Sequence, residues 1–88
     1  MKLSPAMIAA LKIYSEVESG TRGRLRASDC PSTNTNNSLM HRDLIVFRIG
    51  LERYVLTEQG RIVASELFPQ YAAWLIRLGL KVVSDATA

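Results

Sequence analysis

Leu39-Met40-His41-Arg42-Asp43-Leu44-Ile45 and, further on, Tyr54-Val55-Leu56-Thr57-Glu58-Gln59-Gly60-Arg61 decide how this chain folds. The first stretch reads as the end of a helix running into a short strand. In the second, Tyr54 and Leu56 alternate with Arg53 and Val55 as a strand does, and the strand stops at Thr57, a good N-cap. A helix then begins with Glu58 in its first turn, where the helix dipole favours an acid. Between the two stretches, Phe47-Arg48-Ile49-Gly50-Leu51-Glu52-Arg53 places two short apolar runs around a glycine, the pattern of a hairpin. Leu44-Ile45-Val46-Phe47 is β-branched and aromatic, hence its first strand. Gly50 is expected at the tip, in the positive-φ conformation a tight turn needs.

Working towards the N-terminus, Ser4-Pro5 is a helix start, with Ser as N-cap and Pro where its missing N–H costs nothing. Met7, Ala10, Leu11, Tyr14 and Val17 recur at three- and four-residue steps and form one apolar face. Gly20 is a natural stop, so the spacing predicts a helix from Pro5 to about Ser19. Arg22-Gly23-Arg24-Leu25-Arg26-Ala27 alternates, which puts three arginines on one face and Leu25 on the other. Residues 28–37 are polar and full of turn formers, compatible with an exposed loop or with a tight turn into a helix. The helix is preferred, capped at Ser32 or Thr33 and ending near Arg42, because Leu39, Met40 and Leu44 supply an apolar stripe that a helix would align.

Towards the C-terminus, Thr57 caps a helix with Ile62, Val63 and Leu67 on its inner face. Pro69 breaks or kinks it, and a last helix is predicted from Gln70 to about Val83. That helix is apolar nearly all round, more than a small domain can cover with its own core. A homodimer through Tyr71, Trp74, Leu75 and Leu78 is therefore expected, with Trp74 as the central anchor. Alternatively, Trp74 caps the domain's own core. An aromatic ligand box is a further reading of this helix. A membrane-surface helix would carry more basic residues than Arg77 and Lys81.

With 88 residues, 48% of them apolar, the chain has the makings of one small globular domain and no room for a separate substrate or cofactor domain. A lone Cys30 excludes an internal disulfide and fits a reducing compartment, so a soluble cytoplasmic protein is expected. No stretch reaches the apolar length of a membrane span, and Met1-Lys2-Leu3-Ser4-Pro5 does not read as a signal peptide. No catalytic constellation is visible. His41 is the only histidine and has no partners for a metal site. Ser28, Asp29 and His41 have no triad spacing, and Cys30 has no flanking base. Neither an enzyme nor a cofactor is expected. The net charge of +3 is unevenly placed. From Thr21 to Arg61 stand seven arginines against four acids, so the whole excess lies in the middle segment, carried by the cation best suited to holding phosphates. The competing reading is a set of solvated surface charges.

Helix, hairpin, helix in this order resembles the winged helix-turn-helix DNA-binding proteins, of the MarR-like or small phage and plasmid regulator type. The wording is also similar: an L-x-x-R-x-L-I pattern over Leu39–Ile45 closes the recognition helix, and Y-x-L-T-x-x-G-R over Tyr54–Arg61 ends the wing. The resemblance spans roughly Ser4 to Leu67. It implies an α+β, mainly α fold, with a winged-helix domain over residues 1–67, a dimerisation helix over 68–84 and a tail over 85–88. The sequence departs from the family in leaving only Ala27–Pro31 for the scaffold helix, which is shortened or missing.

The resemblance implies binding of double-stranded DNA as a small transcriptional regulator. Thr33, Asn34, Thr35, Asn36 and Asn37 would occupy the first turns of the recognition helix, where Asn can pair with adenine and Thr can touch a thymine methyl. Arg42, with Arg22, Arg24 and Arg26, would hold the backbone, and Arg48 and Arg53 would flank the wing tip. The alternative for the Asn/Thr run is a polar surface turn. The alternative for the whole chain is a winged-helix protein-interaction module that docks onto a larger assembly and reads no bases.

Overall fold

Ser4 opens the first helix as its side chain predicts: extended at φ −74°, it accepts a hydrogen bond from the Met7 N–H, and Pro5 fills the first turn. The computed structural model describes residues 2–21 and 30–79. The arginine-bearing strand expected at Arg22, Arg24 and Arg26 therefore lies outside the described residues, as does most of the shortened scaffold helix. Six elements follow in order: α1 (Pro5–Ser19), α2 (Thr33–His41), β1 (Ile45–Arg48), β2 (Arg53–Leu56), α3 (Glu58–Leu67) and α4 (Pro69–Arg77). The architecture is mainly helical, with one two-stranded antiparallel sheet among the described residues.

α1 is the spine. It packs against α2, α3, α4 and β2. Its Met7, Ala10, Leu11 and Tyr14 enter a core completed by Leu39, Leu44, Ile45, Leu56, Ala64, Tyr71 and Leu75. The face read from the spacing is thus the buried face, with Val17 half-buried at its end. α1 stops at Gly20, which takes the left-handed conformation at φ 76° while its N–H and that of Thr21 cap the Val17 and Glu16 carbonyls.

The passage from α2 to β1 uses the same device without a glycine. Arg42 is the C-cap, and Asp43 follows in the left-handed region at φ 58°. Its N–H bonds the Met40 carbonyl and that of Leu44 bonds the Leu39 carbonyl, each at 3.0 Å. Leu39 and Leu44 are both fully buried, supplying the hydrophobic contact that accompanies such a helix end.

Thr57 ties this corner to α3. Its hydroxyl accepts from the Gly60 N–H and donates to the Asp43 carbonyl, while its own N–H bonds the Leu44 carbonyl. The Leu44 carbonyl consequently lies on the first turn of α3, and a Cβ built on Gly60 would stand 1.9 Å from that oxygen. Gly60 is required for close approach of two backbones.

Several expectations are corrected. Gly50 is not the left-handed residue of the hairpin. The loop over residues 49–52 is closed by Leu51 N–H to Arg48 C=O and Glu52 N–H to Ile49 C=O, and Glu52, its last residue, is left-handed at φ 53°. β1 begins at Ile45 rather than Leu44, because the Leu44 N–H is spent on capping α2. Met40 is exposed rather than part of the inner stripe, since it lies a full 100° around the helix from Leu39. The inner face of α3 is Gly60 and Ala64 with Val63 against the core, whereas Leu67 is exposed.

α4 ends at Arg77, not near Val83. Leu78 is its C-cap, and Gly79 turns left-handed at φ 78° with its N–H on the Ile76 carbonyl. The apolar run continues past this point in the sequence, but a glycine after the last turn stops a helix whatever the hydropathy beyond it. Leu80–Val83 lie outside the described residues.

Candidate nucleic-acid interface

α2 starts where Ser32 accepts a hydrogen bond from the Thr35 N–H at 3.2 Å, with the two hydroxyls 2.9 Å apart. From that cap, helical geometry sorts the polar run into two faces. Thr33, Asn34, Asn37, Met40 and His41 are exposed and fall at the three- and four-residue steps of one outer stripe. Asn36 and Leu39 point inward. Thr35 is half-buried between the two faces and engaged with Ser32.

Asn36 is therefore removed from the candidate contacts. It is only 8% exposed, and its Oδ1 accepts the Tyr14 hydroxyl hydrogen at 2.5 Å. This bond fastens α2 to α1 inside the core. Burial, with Tyr54 and Cys30 adding to it, pushes the Tyr14 phenol up to about 12, so it remains a donor throughout the neutral range. An asparagine in a polar run reads as a surface residue. The signal that separates Asn36 from its neighbours is its three-residue step to Leu39.

The hairpin sets four pairs in register: Ile45 with Leu56, Val46 with Val55, Phe47 with Tyr54, and Arg48 with Arg53. Side chains alternate between faces, so Ile45, Leu56, Phe47 and Tyr54 share the side turned to the core, while Val46, Val55 and both arginines share the other. Phe47 meets Tyr54 edge-on at 5.1 Å, and Tyr54 in turn meets Tyr14 at 6.3 Å, which braces the ribbon against α1.

Arg48 and Arg53 are both exposed and stand directly across the ribbon from each other. Arg42 is exposed too, with one guanidinium nitrogen folded back on the Ser38 carbonyl at 3.1 Å. None of the three forms an ion pair among the described residues. Arg61 differs: its Nε lies 3.1 Å from Glu18 Oε2, which joins α3 to α1. Burial, with the Glu18 charge close by, also holds the Tyr71 phenol well above its ordinary value. Arg22, Arg24 and Arg26 lie outside the described residues.

The expected dimer contacts divide. Tyr71 and Leu75 are 3% and 2% exposed and belong to the domain's own core, so they are not a free surface. Trp74 packs partly against that core and stacks on Tyr71 at 5.8 Å with 24° between the rings. Leu78 is exposed, as sequence reasoning expected, and Ile76, which it overlooked, is more so at 69%.

Among the described residues no cluster of His, Cys, Asp and Glu could hold a metal ion, and no helix is long and apolar enough to cross a membrane. Comparison with family models, with curated proteins and with solved structures finds no match.

Proposed function

We propose that this chain binds double-stranded DNA as a small, cytoplasmic winged-helix transcriptional regulator, with α2 as the recognition helix and the β1–β2 hairpin as the wing. The observation that carries the reading is the sorting of cations. Arg42, Arg48 and Arg53 are exposed without carboxylate partners among the described residues, whereas Arg61, also exposed, is paired with Glu18. Three exposed guanidiniums without carboxylate partners, together with the outer stripe of Thr33, Asn34 and Asn37, would combine backbone holding with base-edge donors and acceptors. In this reading a homodimer would use Ile76, Leu78 and the outer side of Trp74, and two copies would address two half-sites.

The test is a titration against random-sequence duplex DNA at several salt concentrations. If Arg22, Arg24, Arg26, Arg42, Arg48 and Arg53 each neutralise one phosphate, the log–log slope is about −5. A fourfold rise in salt then weakens binding about 10³-fold. Binding that is absent at low salt, or flat across the series, overturns the reading.

A second reading has one observation in its favour. Phe47, Ile49, Ile76 and Leu78 are all exposed, more apolar surface than a pure DNA reader requires, and this suits a module that docks onto another protein. The salt titration separates the two classes.

The two faces of α2 make a paired prediction. Asn36→Ala strips the buried Tyr14 hydroxyl of its acceptor and should destabilise the fold by about 1–3 kcal/mol in urea unfolding. Asn34→Ala and Asn37→Ala should leave stability within about 0.5 kcal/mol. On a selected preferred site they should instead weaken binding by about 1–3 kcal/mol, with little effect on random DNA. Equal losses of the outer variants on both DNAs would assign them to the backbone rather than to bases.

A further inference from the structure

β2, the end of α1 and the first turns of α3 meet around a cleft of about 250 Å³. Arg48 and Arg53 line it from the hairpin, Arg61 from α3 and Glu18 from α1, with Val17 and Val55 supplying apolar wall. Three cations against one carboxylate leave this cleft with two positive charges in excess. Arg48 and Arg53 oppose each other across the strands, a like-charge pair that disfavours the hairpin unless an anion lies beside it. Arg61 is held in place by Glu18, whose buried Oε2 lies 3.1 Å from the Arg61 Nε. That contact occupies one of the five N–H donors of the guanidinium.

We propose that the cleft binds a small organic phosphate monoester, with Arg48, Arg53 and Arg61 on the phosphoryl oxygens and the organic group against Val17 and Val55. The site goes beyond the DNA-binding reading and stands without it. One consequence does rest on that reading: an occupant that engages Arg48 and Arg53 withdraws them from the duplex and acts as a releasing effector.

Charge and oxygen count select the ligand. A phosphate monoester carries about −1.5 to −2 at pH 7 and three strong acceptor oxygens, which answers both the excess charge and the three guanidiniums. A nucleic-acid phosphodiester has a single charge and two unesterified oxygens, so it leaves a cation unanswered. A lone carboxylate falls short in the same way. All three cations are arginines, whose planar fork suits phosphate oxygens better than an ammonium does. The cleft is somewhat smaller than the roughly 300–1,000 Å³ of sites for drug-sized molecules, so the organic group is limited to a few carbons.

The test follows the arginine side chains of the full chain by NMR, with isotope-labelled arginine and no DNA present. Ethyl phosphate is titrated at constant ionic strength, and diethyl phosphate stands in for the nucleic-acid backbone. The Arg48, Arg53 and Arg61 Nε signals should shift together and saturably with the monoester, and the diester should bind about tenfold more weakly or worse. Arg53→Gln should weaken the monoester by about tenfold or more. Its melting temperature should hold, because the side chain is exposed and opposes a like charge. Arg77→Gln makes the same change of net charge on α4, outside the cleft, and should bind as wild type does. No saturable shift, a diester that binds as tightly as the monoester, or a folded Arg53→Gln with wild-type affinity overturns the site, and each leaves DNA binding standing. With duplex DNA bound, ethyl phosphate should release the protein more than chloride of equal ionic strength. Equal release overturns the effector role alone, and a chain that binds the monoester but no duplex overturns the DNA reading alone.

Discussion

Gly60→Ala should destabilise this domain by about 3 kcal/mol or more, a large fraction of the roughly 5–15 kcal/mol that holds a typical domain together. Two effects compete at this position. Within a helix, exchanging Gly for Ala is worth up to about 1 kcal/mol in favour of Ala, from propensity alone. Against it stands a contact that cannot be relieved by turning a side chain. The new methyl would sit 1.9 Å from the carbonyl oxygen of Leu44 and 2.9 Å from its carbonyl carbon, both backbone atoms. Leu44 is anchored on both sides, by its N–H to Leu39 and by its C=O to Thr57. Relief of the clash would have to move α3 away from the α2–β1 corner, with loss of the Thr57 cap. Gly50→Ala is the control: a Cβ there meets nothing within 4 Å, and its φ is not positive, so the melting temperature should stay the same or rise slightly. A Gly60→Ala variant that melts with wild type would show that the two backbones are not in contact.

Leu75→Ala should cost about 2–5 kcal/mol of folding stability, because it removes a fully buried side chain and leaves a cavity between α4 and the α1 spine. Leu78→Asp should do the opposite in every respect. The side chain is 56% exposed, so circular dichroism and unfolding should hardly change, while sedimentation should shift from dimer to monomer. Were Leu75 an interface residue, its truncation would split a dimer and leave a folded monomer. Its 2% exposure within the single chain argues that the monomer itself is weakened. A wild-type chain that sediments as a monomer at tens of micromolar would refute the homodimer and leave Ile76 and Leu78 as a surface for a different partner.

The helix starts and the end of α1 were legible because each rests on a local cause. Ser4, Ser32 and Thr57 cap their helices with side-chain oxygens, Gly20 closes α1, and Pro69 starts α4. What the sequence concealed depends on tertiary contact. Asn36 and Asn37 are the same residue type at adjacent positions; the step from Asn36 to Leu39 puts it on the inner face, but its hydrogen-bond partner Tyr14 lies on another helix. Asp43 and Glu52 take left-handed conformations usually associated with glycine, so neither turn announces itself by composition. α4 reads as apolar on every side, yet its division into the buried Tyr71 and Leu75 and the exposed Ile76 and Leu78 depends on where α1 lies. Of the residues expected at the candidate interface, Arg42, Arg48, Arg53, Asn34 and Asn37 are exposed. The pairing of Arg61 with Glu18 was not legible, because it joins residues far apart in the chain.

The knot at Thr57 divides labour within the hairpin. Strand register must be set somewhere, since a slip of one residue would turn Ile45 and Leu56 out to solvent. Many hairpins set it at the turn, which ties the turn residues to a narrow choice. Here the open end of the ribbon is clamped instead: Leu44 is bonded to both Leu39 and Thr57, and Thr57 to both Asp43 and Gly60. Residues 49–52 are thereby released from the duty of specifying the fold. Related chains could exchange these four residues, in sequence and even in length, without losing the domain.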